Sequence, residues 1–233
     1  MQFCLRSIVA CLGMVVLPMV SGCGGDGDGA AAETAAIDGS AGRKGQPGTD
    51  TDGSASRKPR TDPLHPTVVI DTSLGSITVR LDAEKAPRTV ENFLSYVESG
   101  HYDQTIFHQV IKDYPKVVLG GAFTPQMSEK EARTPIYNEA RNGLKNRRGT
   151  IAMARQADDK HSATCYFFIN LTDNEMLDYK NETPEGYGYC VFGTITQGLD
   201  VADKIAAVEV HDTQQFERIP VQAVMIRSIR RIR

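Results

Sequence analysis

The chain has 233 residues, a formal net charge of −3 and a hydrophobic fraction of 40%. These values are ordinary for a globular protein, and the charge argues against a nucleic-acid partner, because nucleic-acid binders usually carry a strongly basic patch. The composition changes along the chain, which favours one folded domain behind an N-terminal segment of different character.

Residues 1–22 have the pattern of a signal peptide. Arg6 supplies a positive charge, and an apolar run follows over residues 8–20. The run is too short to cross a bilayer as a helix, which needs roughly 20 residues. It ends in VSGC (residues 20–23), which resembles the lipobox of bacterial lipoproteins, whose cysteine is acylated. We therefore expect lipidation at Cys23 and a membrane anchor, with an ordinary signal peptide and an unmodified cysteine as the alternative.

Residues 23–66 are interpreted as the lipidated cysteine followed by a disordered linker. Residues 24–66 contain nine glycines and only two large apolar side chains, Ile37 and Leu64. Such a segment buries too little surface to offset the entropy cost of ordering it. A flexible coil of this length would span roughly 35 Å on average. The pattern predicts a domain tethered to a membrane of the cell envelope and facing the periplasm or the exterior; an extension without a role is the alternative.

The predicted folded domain covers residues 67–233 and is rich in short strands. Its first two runs, residues 67–71 and 76–81, flank a turn at Leu74-Gly75 and predict a β-hairpin. Cys165 and Cys190 lie in strand-like runs, and we expect two separate buried thiols rather than a disulfide. Further β-branched or aromatic runs predict strands at residues 105–111, 117–120, 150–153, 166–171, 189–195 and 221–229.

Two helices are predicted between these strands. The first has Pro87 in its first turn, and Gly100 is placed to cap its C-terminus. The second covers residues 199–207. Short strands with two helices indicate a closed barrel or a sandwich with helical covers. The first helix has an apolar stripe at helical spacing, formed by Val90, Phe93, Leu94 and Val97.

Five sequence blocks carry a resemblance to one family. In chain order they are APRTVENFL (residues 86–94), FHQVI (107–111), PIYNEARNGLKNRRGTIAMAR (135–155), FFIN (167–170) and GYCVFG (188–193). Their order and spacing resemble the cyclophilin-type peptidyl-prolyl cis-trans isomerases, in particular the short bacterial ones, over essentially all of the predicted domain. The resemblance implies a mainly β fold, an eight-stranded antiparallel closed β-barrel capped by two α-helices, with a peptide groove on its outer face.

The resemblance also implies an activity. Members of the cyclophilin family interconvert the cis and trans forms of Xaa-Pro bonds without a cofactor and without a covalent step. We therefore expect a folding helper for exported proteins, with proline-containing polypeptide segments as partners, no cofactor, no metal and a monomeric state.

The expected catalytic position departs from the family pattern. The expected catalytic residues are Gln109 and His108. Gln109 stands where the family has an arginine that donates a hydrogen bond to the prolyl nitrogen. Leu119 and Tyr166 stand where the family has glutamines that brace this arginine and bind the peptide backbone. The stretch from His108 to Gly120 is also two residues longer than the family spacing, with Tyr114 and Val117 as candidates for the groove wall.

The expected proline pocket keeps more of the family pattern. Arg155 is placed by motif position on the groove rim, where it contacts peptide backbone or is a solvated surface charge. Simple barrel packing is the alternative interpretation for Phe168 and Leu177. The residues predicted to line the pocket are Phe168, Met176, Leu177 and Tyr189, with His108 and Ala154 at its edge.

The loss of a cation at position 109 predicts weakened turnover, and it does not require that turnover is abolished. Hydrogen bonds to charged groups contribute about 1.5–3 kcal/mol, against about 1 kcal/mol for neutral ones. A loss of ~1–3 kcal/mol in the transition state corresponds to roughly 5- to 200-fold in rate. Three functions stay open at this point: an isomerase of reduced activity, a binding module for proline-containing segments, and an envelope lipoprotein whose groove is unused.

Overall fold

Short strands alternate with two α-helices along residues 62–232, the part of the chain that the computed structural model describes. The predictions for the signal peptide, for Cys23 and for most of the linker lie outside these residues. Two short 3-10 turns, Ala140–Asn142 and Glu175–Leu177, lie in the longer connections. In chain order the other elements are β1 (Thr67–Thr72), β2 (Gly75–Leu81), α1 (Pro87–Glu98), β3 (Thr105–Ile111), β4 (Val117–Gly120), β5 (Thr150–Met153), β6 (Phe167–Asn170), β7 (Val191–Gln197), α2 (Leu199–Ala207), β8 (Val210–His211), β9 (Ile219–Pro220) and β10 (Val224–Arg231).

Eight of these strands close into an antiparallel barrel in the order β1-β10-β3-β4-β6-β5-β7-β2. The predicted fold class is therefore confirmed. The strands β3, β4 and β5 and the helix α2 have the predicted bounds, whereas β10 begins and ends later than predicted. The small β8–β9 sheet was not predicted, because two-residue strands are too short to show a hydrophobic period.

The β1–β2 hairpin shows how the sequence pattern builds the barrel. Val68 pairs with Val79 and Ile70 pairs with Ile77 across the two strands. All four side chains are completely buried, while the residues between them keep some exposure. Burial of an aliphatic side chain of this size stabilises the fold by about 1.5–3 kcal/mol, so the alternating pattern fixes which face of each strand points inward.

Helix α1 is completed by a side chain that lies far away in the sequence. The Glu139 carboxylate accepts hydrogen bonds from the backbone N–H groups of Arg88 (3.2 Å) and Thr89 (2.8 Å) and from the Thr89 hydroxyl (2.7 Å). It thereby satisfies donors that have no partner inside the helix and complements the positive end of the helix dipole. Gly100 follows the helix with φ +68°, as its predicted capping role requires.

Two further properties of the domain bear on its chemistry. Cys165 and Cys190 are free and buried, as predicted, and burial raises the pKa of each thiol to about 12. Both sulfurs therefore remain protonated and unreactive at neutral pH. Among residues 62–232, no helix has the length and apolar character needed to cross a membrane.

Candidate functional site

Three predicted site residues lie side by side on neighbouring strands. Gln109 of β3 pairs with Leu119 of β4, and Leu119 pairs with Phe168 of β6. Phe167, the neighbour of Phe168, packs against Phe93 of the capping helix α1, with ring centroids 5.7 Å apart. Since successive residues of a strand point to opposite faces, Gln109, Leu119 and Phe168 share the other face of the sheet. The register thus brings together residues that are far apart in the sequence.

Gln109, which carries a side-chain amide, is nearly buried. It is 5% exposed, and Leu119 beside it is completely buried. Among residues 62–232, no side chain or backbone group forms a hydrogen bond with this amide, and Leu119 cannot offer one. The amide therefore has donor capacity left for a bound molecule, in a setting where a hydrogen bond is stronger than in water. We name these two residues the Gln109–Leu119 pair.

An apolar pocket wall adjoins this pair. The rings of Phe168 and Tyr189 meet edge to face, with centroids 5.6 Å apart. The Tyr189 N–H donates to the Leu177 carbonyl at 2.9 Å, which fixes the two residues against each other. All three side chains are buried. We call Phe168, Leu177 and Tyr189 the proline pocket, after the role predicted for them. Val117, two residues before Leu119 on β4, is completely buried on the same face of the strand.

His108, the neighbour of Gln109 on β3, lies in an aromatic cluster. Its ring is 4.8 Å from the Phe123 centroid and 5.9 Å from that of Tyr166, and Phe123 in turn contacts Phe216 at 5.3 Å. Burial lowers the pKa of His108 to about 3, so the ring is neutral at physiological pH. Its Nδ1 has no hydrogen-bond partner among the described residues. His108 is therefore a packed, neutral ring, and its expected catalytic role stays a prediction.

Tyr166 and Ala154 connect this cluster to a small cavity. The Tyr166 hydroxyl donates to the Glu129 carboxylate, and the Ala154 N–H donates to the Tyr166 carbonyl at 2.9 Å. Both residues line a cavity of about 240 Å³, together with Arg133 and Thr164. The residue that replaces a family glutamine is thus held by an acid that the sequence analysis did not single out.

Arg155 is buried, which contradicts the alternative of a solvated surface charge. It is 5% exposed, and its guanidinium donates hydrogen bonds to the backbone carbonyls of Gly188 (3.0 Å), Gln156 (2.7 Å) and Ala157 (3.2 Å), and also to that of Pro184. The same guanidinium lies over the Tyr189 ring, 4.9 Å from its centroid. Arg155 is therefore not a solvated charge, and it lines the cavity of about 240 Å³ beside Ala154 and Tyr166. Its place on a peptide groove and its contact with peptide backbone stay predictions.

Met176 and the longer loop before β4 form a second, larger cavity. Met176 is 39% exposed, and Tyr114 in the loop is 61% exposed. Both line a cleft of about 570 Å³. Met176 does not lie with the buried side chains of the proline pocket, although it directly precedes Leu177 in the Glu175–Leu177 turn. The structure therefore divides the predicted pocket residues between an enclosed wall and an open cleft.

Several residues that organise the site were missed from the sequence. Phe123 packs against His108, Glu129 accepts a hydrogen bond from Tyr166, and Phe216 packs against Phe123; such long-range contacts leave no local pattern. The asparagine in the FFIN block, Asn170, gave a signal that was not used, since a buried amide at a strand end needs partners. Within residues 62–232, no group of three His, Cys, Asp or Glu side chains comes together as a metal site would require.

Comparison with known proteins adds a family context to this geometry. The model of the family described as cyclophilin type peptidyl-prolyl cis-trans isomerase matches residues 67–231. The chain is 51% identical over 162 residues to peptidyl-prolyl cis-trans isomerase cyp18 of Streptomyces antibioticus, an alignment that covers 70% of this chain and 96% of the relative. It is 45% identical over 162 residues to peptidyl-prolyl cis-trans isomerase B of Escherichia coli strain K12, covering 70% and 97% respectively.

Solved structures show the same barrel. A cyclophilin type peptidyl-prolyl cis-trans isomerase of Cryptosporidium parvum matches with a TM-score of 0.61 and 24% identity, covering 72% of this chain and 98% of that chain. A second structure of that protein, in the presence of the dipeptide Ala-Pro, matches with a TM-score of 0.59 and 25% identity over 70% of this chain and 96% of that one.

Proposed function

The chain belongs to the cyclophilin-type peptidyl-prolyl cis-trans isomerase family, and from this premise we propose that it isomerises Xaa-Pro bonds of exported proteins at a reduced rate. The observation that carries the proposal is the 51% identity to a bacterial isomerase over nearly the whole of that relative. The proline pocket and the free amide of Gln109, side by side on one face, support it from the geometry.

The reaction requires the amide bond to lose its double-bond character. Resonance holds the bond planar with a barrier of about 18–20 kcal/mol, so uncatalysed exchange takes tens to hundreds of seconds. A catalyst must bind the twisted bond more tightly than the planar one. In this domain, Phe168, Leu177 and Tyr189 would hold the proline ring and exclude water. The Nε2 group of Gln109 would donate a hydrogen bond to the prolyl nitrogen, which becomes basic as the bond twists.

The reduced rate follows from the charge and the surroundings of this donor. A neutral amide stabilises the developing lone pair less than a guanidinium does, by ~1–3 kcal/mol, or roughly 5- to 200-fold in rate. Leu119 adds to the effect, because it offers no hydrogen bond that would orient the amide. A reacting group needs such support to keep its geometry.

A second candidate function is a binding module for proline-containing segments without meaningful turnover. The observation that favours it is the coordinated change of Gln109, Leu119 and Tyr166, while the proline pocket retains its apolar side chains. Binding requires only the pocket, whereas catalysis also requires the donor and its supports.

One experiment separates these two functions. The exchange of an Ala-Pro peptide is followed by NMR with and without the purified protein, and binding is measured by titration of the same peptide. Acceleration proportional to protein concentration is the expected result. Binding without acceleration would establish the binding module instead, and absence of both would refute the two proposals together.

We also propose that the mature protein is anchored through lipid on Cys23 in the cell envelope. The support is the VSGC sequence behind a short apolar run and before a glycine-rich segment. Labelling of growing cells with a fatty-acid analogue should mark the protein and place it in the membrane fraction. The Cys23→Ala variant should lose both the label and the membrane association, and retention of both would contradict the proposal.

A further inference from the structure

We propose that the edge of the barrel where the two ends of the domain meet docks on the surface of a membrane that contains anionic phospholipids. This inference goes beyond the isomerase activity and does not depend on it. The residues involved belong neither to the proline pocket nor to the Gln109–Leu119 pair.

The first observation is that the beginning and the end of the domain are neighbours. β1 lies between β2 and β10 in the barrel. The Ile232 N–H donates a hydrogen bond to the Thr67 carbonyl at 2.8 Å, and Thr67 pairs with Arg80 on its other side. Arg231 pairs with Val68, the next residue of β1. The chain therefore enters the barrel beside the residues with which it ends. The residues that we call the terminal edge are Leu64, Arg80, Arg231 and Ile232.

The second observation is that this edge exposes apolar side chains. Leu64 is 50% exposed and Ile232 is 43% exposed. Leu64 is fixed on the barrel, because its carbonyl accepts a hydrogen bond from the Ala83 N–H at 2.8 Å. Leucine and isoleucine side chains bordered by arginines are typical of surfaces that lie at the boundary between lipid headgroups and acyl chains.

The third observation is a local excess of positive charge. Arg80 is exposed and Arg231 is half-buried, and within residues 62–232 neither of them forms an ion pair. The two segments that lead to this edge, residues 57–82 and 227–233, contain eight Lys or Arg and three Asp. The whole chain has 26 Lys or Arg against 29 Asp or Glu, so the excess is confined to this part of the sequence.

Two further arginines of β10 contribute less to this excess. Arg230 is held by the Asp103 carboxylate at 2.6 Å, and Arg227 lies 4.0 Å from Asp71. The cations available for a membrane are therefore those of the terminal edge and those that precede it in the sequence. Each Lys or Arg near an anionic membrane surface strengthens binding by about five-fold.

A cavity beside Arg80 has the chemistry to hold a lipid phosphate. Arg80 pairs with Thr194 of β7, and both line a cavity of about 300 Å³ together with His65 and Thr196. A guanidinium binds phosphate through two parallel N–H groups, and threonine hydroxyls supply further donors. Asp82 also lines the cavity and opposes an anion, so the contact depends on Arg80.

A membrane fits this edge better than a soluble polyanion does. A polyanion would pair with the arginines but would leave Leu64 and Ile232 exposed, whereas a bilayer surface offers headgroups to the first and apolar volume to the second. The chain that enters the barrel at Leu64 also leads back to Cys23, the proposed site of the lipid anchor.

The test uses the mature chain from residue 23 with Cys23→Ser, which carries no lipid. Its flotation is measured with vesicles of phosphatidylcholine alone and with vesicles in which about a quarter of the lipid is phosphatidylglycerol. Binding to the anionic vesicles should be roughly ten-fold stronger or more. Raising the salt concentration from about 0.1 M to about 1 M should abolish the difference, because it shortens the screening length from about 10 Å to about 3 Å.

The variants assign the binding to the terminal edge. Arg80→Gln with Arg231→Gln should weaken binding to anionic vesicles by about 25-fold, as the loss of two cations predicts. Lys112→Gln is the matched control and should leave binding unchanged. Lys112 is exposed and follows β3, whose first residue pairs with β10, so it lies at the opposite end of that strand from Arg231.

The apolar part of the edge is tested separately. Leu64→Ser with Ile232→Ser should weaken vesicle binding by roughly ten-fold, because less apolar surface leaves water. A nitroxide on the lipid headgroup should broaden the amide NMR signals of Leu64, Arg80 and Ile232 but not that of Lys112. This measurement locates the contact without any substitution.

Four results would overturn the proposal. They are equal binding to neutral and anionic vesicles, undiminished binding in the double arginine variant, broadening centred on Lys112, and binding of soluble polyphosphate as tight as that of anionic vesicles. Loss of binding in a variant with Arg57, Lys58 and Arg60 replaced by Gln, together with full binding in the double arginine variant, would assign the membrane contact to the preceding segment instead. The isomerase proposal and the lipid anchor stand or fall by their own tests.

Discussion

The proline pocket and the Gln109–Leu119 pair lie on one face of the barrel, but they are supported in different ways. The pocket is held by an edge-to-face ring contact, a backbone hydrogen bond and the buried guanidinium of Arg155. The Gln109 amide has no such partner within residues 62–232. The difference indicates that the residues expected to bind proline are better supported than the residue expected to accelerate the reaction.

The largest effect is expected from removing the pocket ring. Phe168→Ala should lower the free energy of unfolding by ~3–5 kcal/mol, because it removes a buried aromatic side chain. It should also abolish measurable peptide binding in an NMR titration.

The neighbouring residue provides the control for this prediction. Phe167→Ala should cost a similar amount of stability, but Phe167 points to the opposite face and its loss should leave affinity within about two-fold in the folded fraction. Equal loss of binding in the two variants would mean that Phe168 contributes only to packing.

The next effect is expected from Arg155, which supports the pocket from behind. Arg155→Lys keeps the charge but loses the planar fork, and we expect a loss of ~2–3 kcal/mol in urea unfolding because hydrogen bonds to backbone carbonyls are lost. Peptide affinity should also fall, because Tyr189 loses its stacking partner.

Arg141→Lys is the matched variant at the surface. Arg141 also lies over a tyrosine ring, that of Tyr179, and pairs with Glu182, but it is exposed. Its substitution should change stability by about 0.5 kcal/mol or less. A stability loss at Arg155 no larger than this would show that its carbonyl contacts are not important in solution.

A smaller effect is expected where the groove is least supported. Gln109→Arg alone should raise kcat/KM only modestly, because a guanidinium beside Leu119 lacks a partner and costs stability. The double variant Gln109→Arg with Leu119→Gln should raise kcat/KM by roughly 5- to 200-fold, as a gain of ~1–3 kcal/mol predicts.

The coupling between the two substitutions is the informative quantity. Leu119→Gln alone is the control and should not increase turnover. A double variant no faster than the original would show that Tyr166 and the longer loop, rather than the pair, limit the reaction.

The last effect concerns pH and is spread over several pH units, so it is the smallest at any single step of the measurement. Burial lowers the pKa of His108 to about 3 in the folded state. Below about pH 6.5, His108 therefore binds a proton in the unfolded chain but stays neutral in the folded domain. Stability should therefore fall as pH falls from 6.5 towards 3, by at most about 1.4 kcal/mol per pH unit from this group.

Urea unfolding between pH 7 and 4 measures this slope. His108→Phe should flatten it, because the ring is replaced by one that does not titrate. Phe123→Leu loosens the same cluster without removing a titrating group, so it should lower stability by a constant amount across the range. An unchanged slope in His108→Phe would show that other groups dominate the acid sensitivity.

How much could be predicted from the sequence differs between residues placed by strand register and residues placed by contacts with distant loops. Motif order placed Gln109, Leu119 and Phe168 near one another, and the strand register brings them together, because a β-strand of regular pattern leaves little freedom in which residues share a face. The burial of Arg155 could not be predicted, since nothing local in the sequence reveals that the carbonyls of Pro184 and Gly188 accept its hydrogen bonds.

The remaining surprises have the same origin. Tyr166 was predicted from its motif position, but its partner Glu129 lies in an irregular segment whose path depends on tertiary contacts. Met176 was assigned to the pocket with Leu177, yet adjacent residues in a 3-10 turn point in different directions, and one of them lines the cleft. The sequence pattern predicts the strands and helices, but it does not predict the side-chain contacts between distant segments.

The position of β10 between β1 and β3 has a consequence for biosynthesis. A nascent chain that has not yet reached Val224 exposes the hydrogen-bonding edges of both neighbouring strands, and such edges pair readily with other chains. The barrel closes only after this segment has left the ribosome and paired with both neighbouring strands. Termination of synthesis upstream of it should therefore yield a chain that aggregates instead of a shorter functional domain.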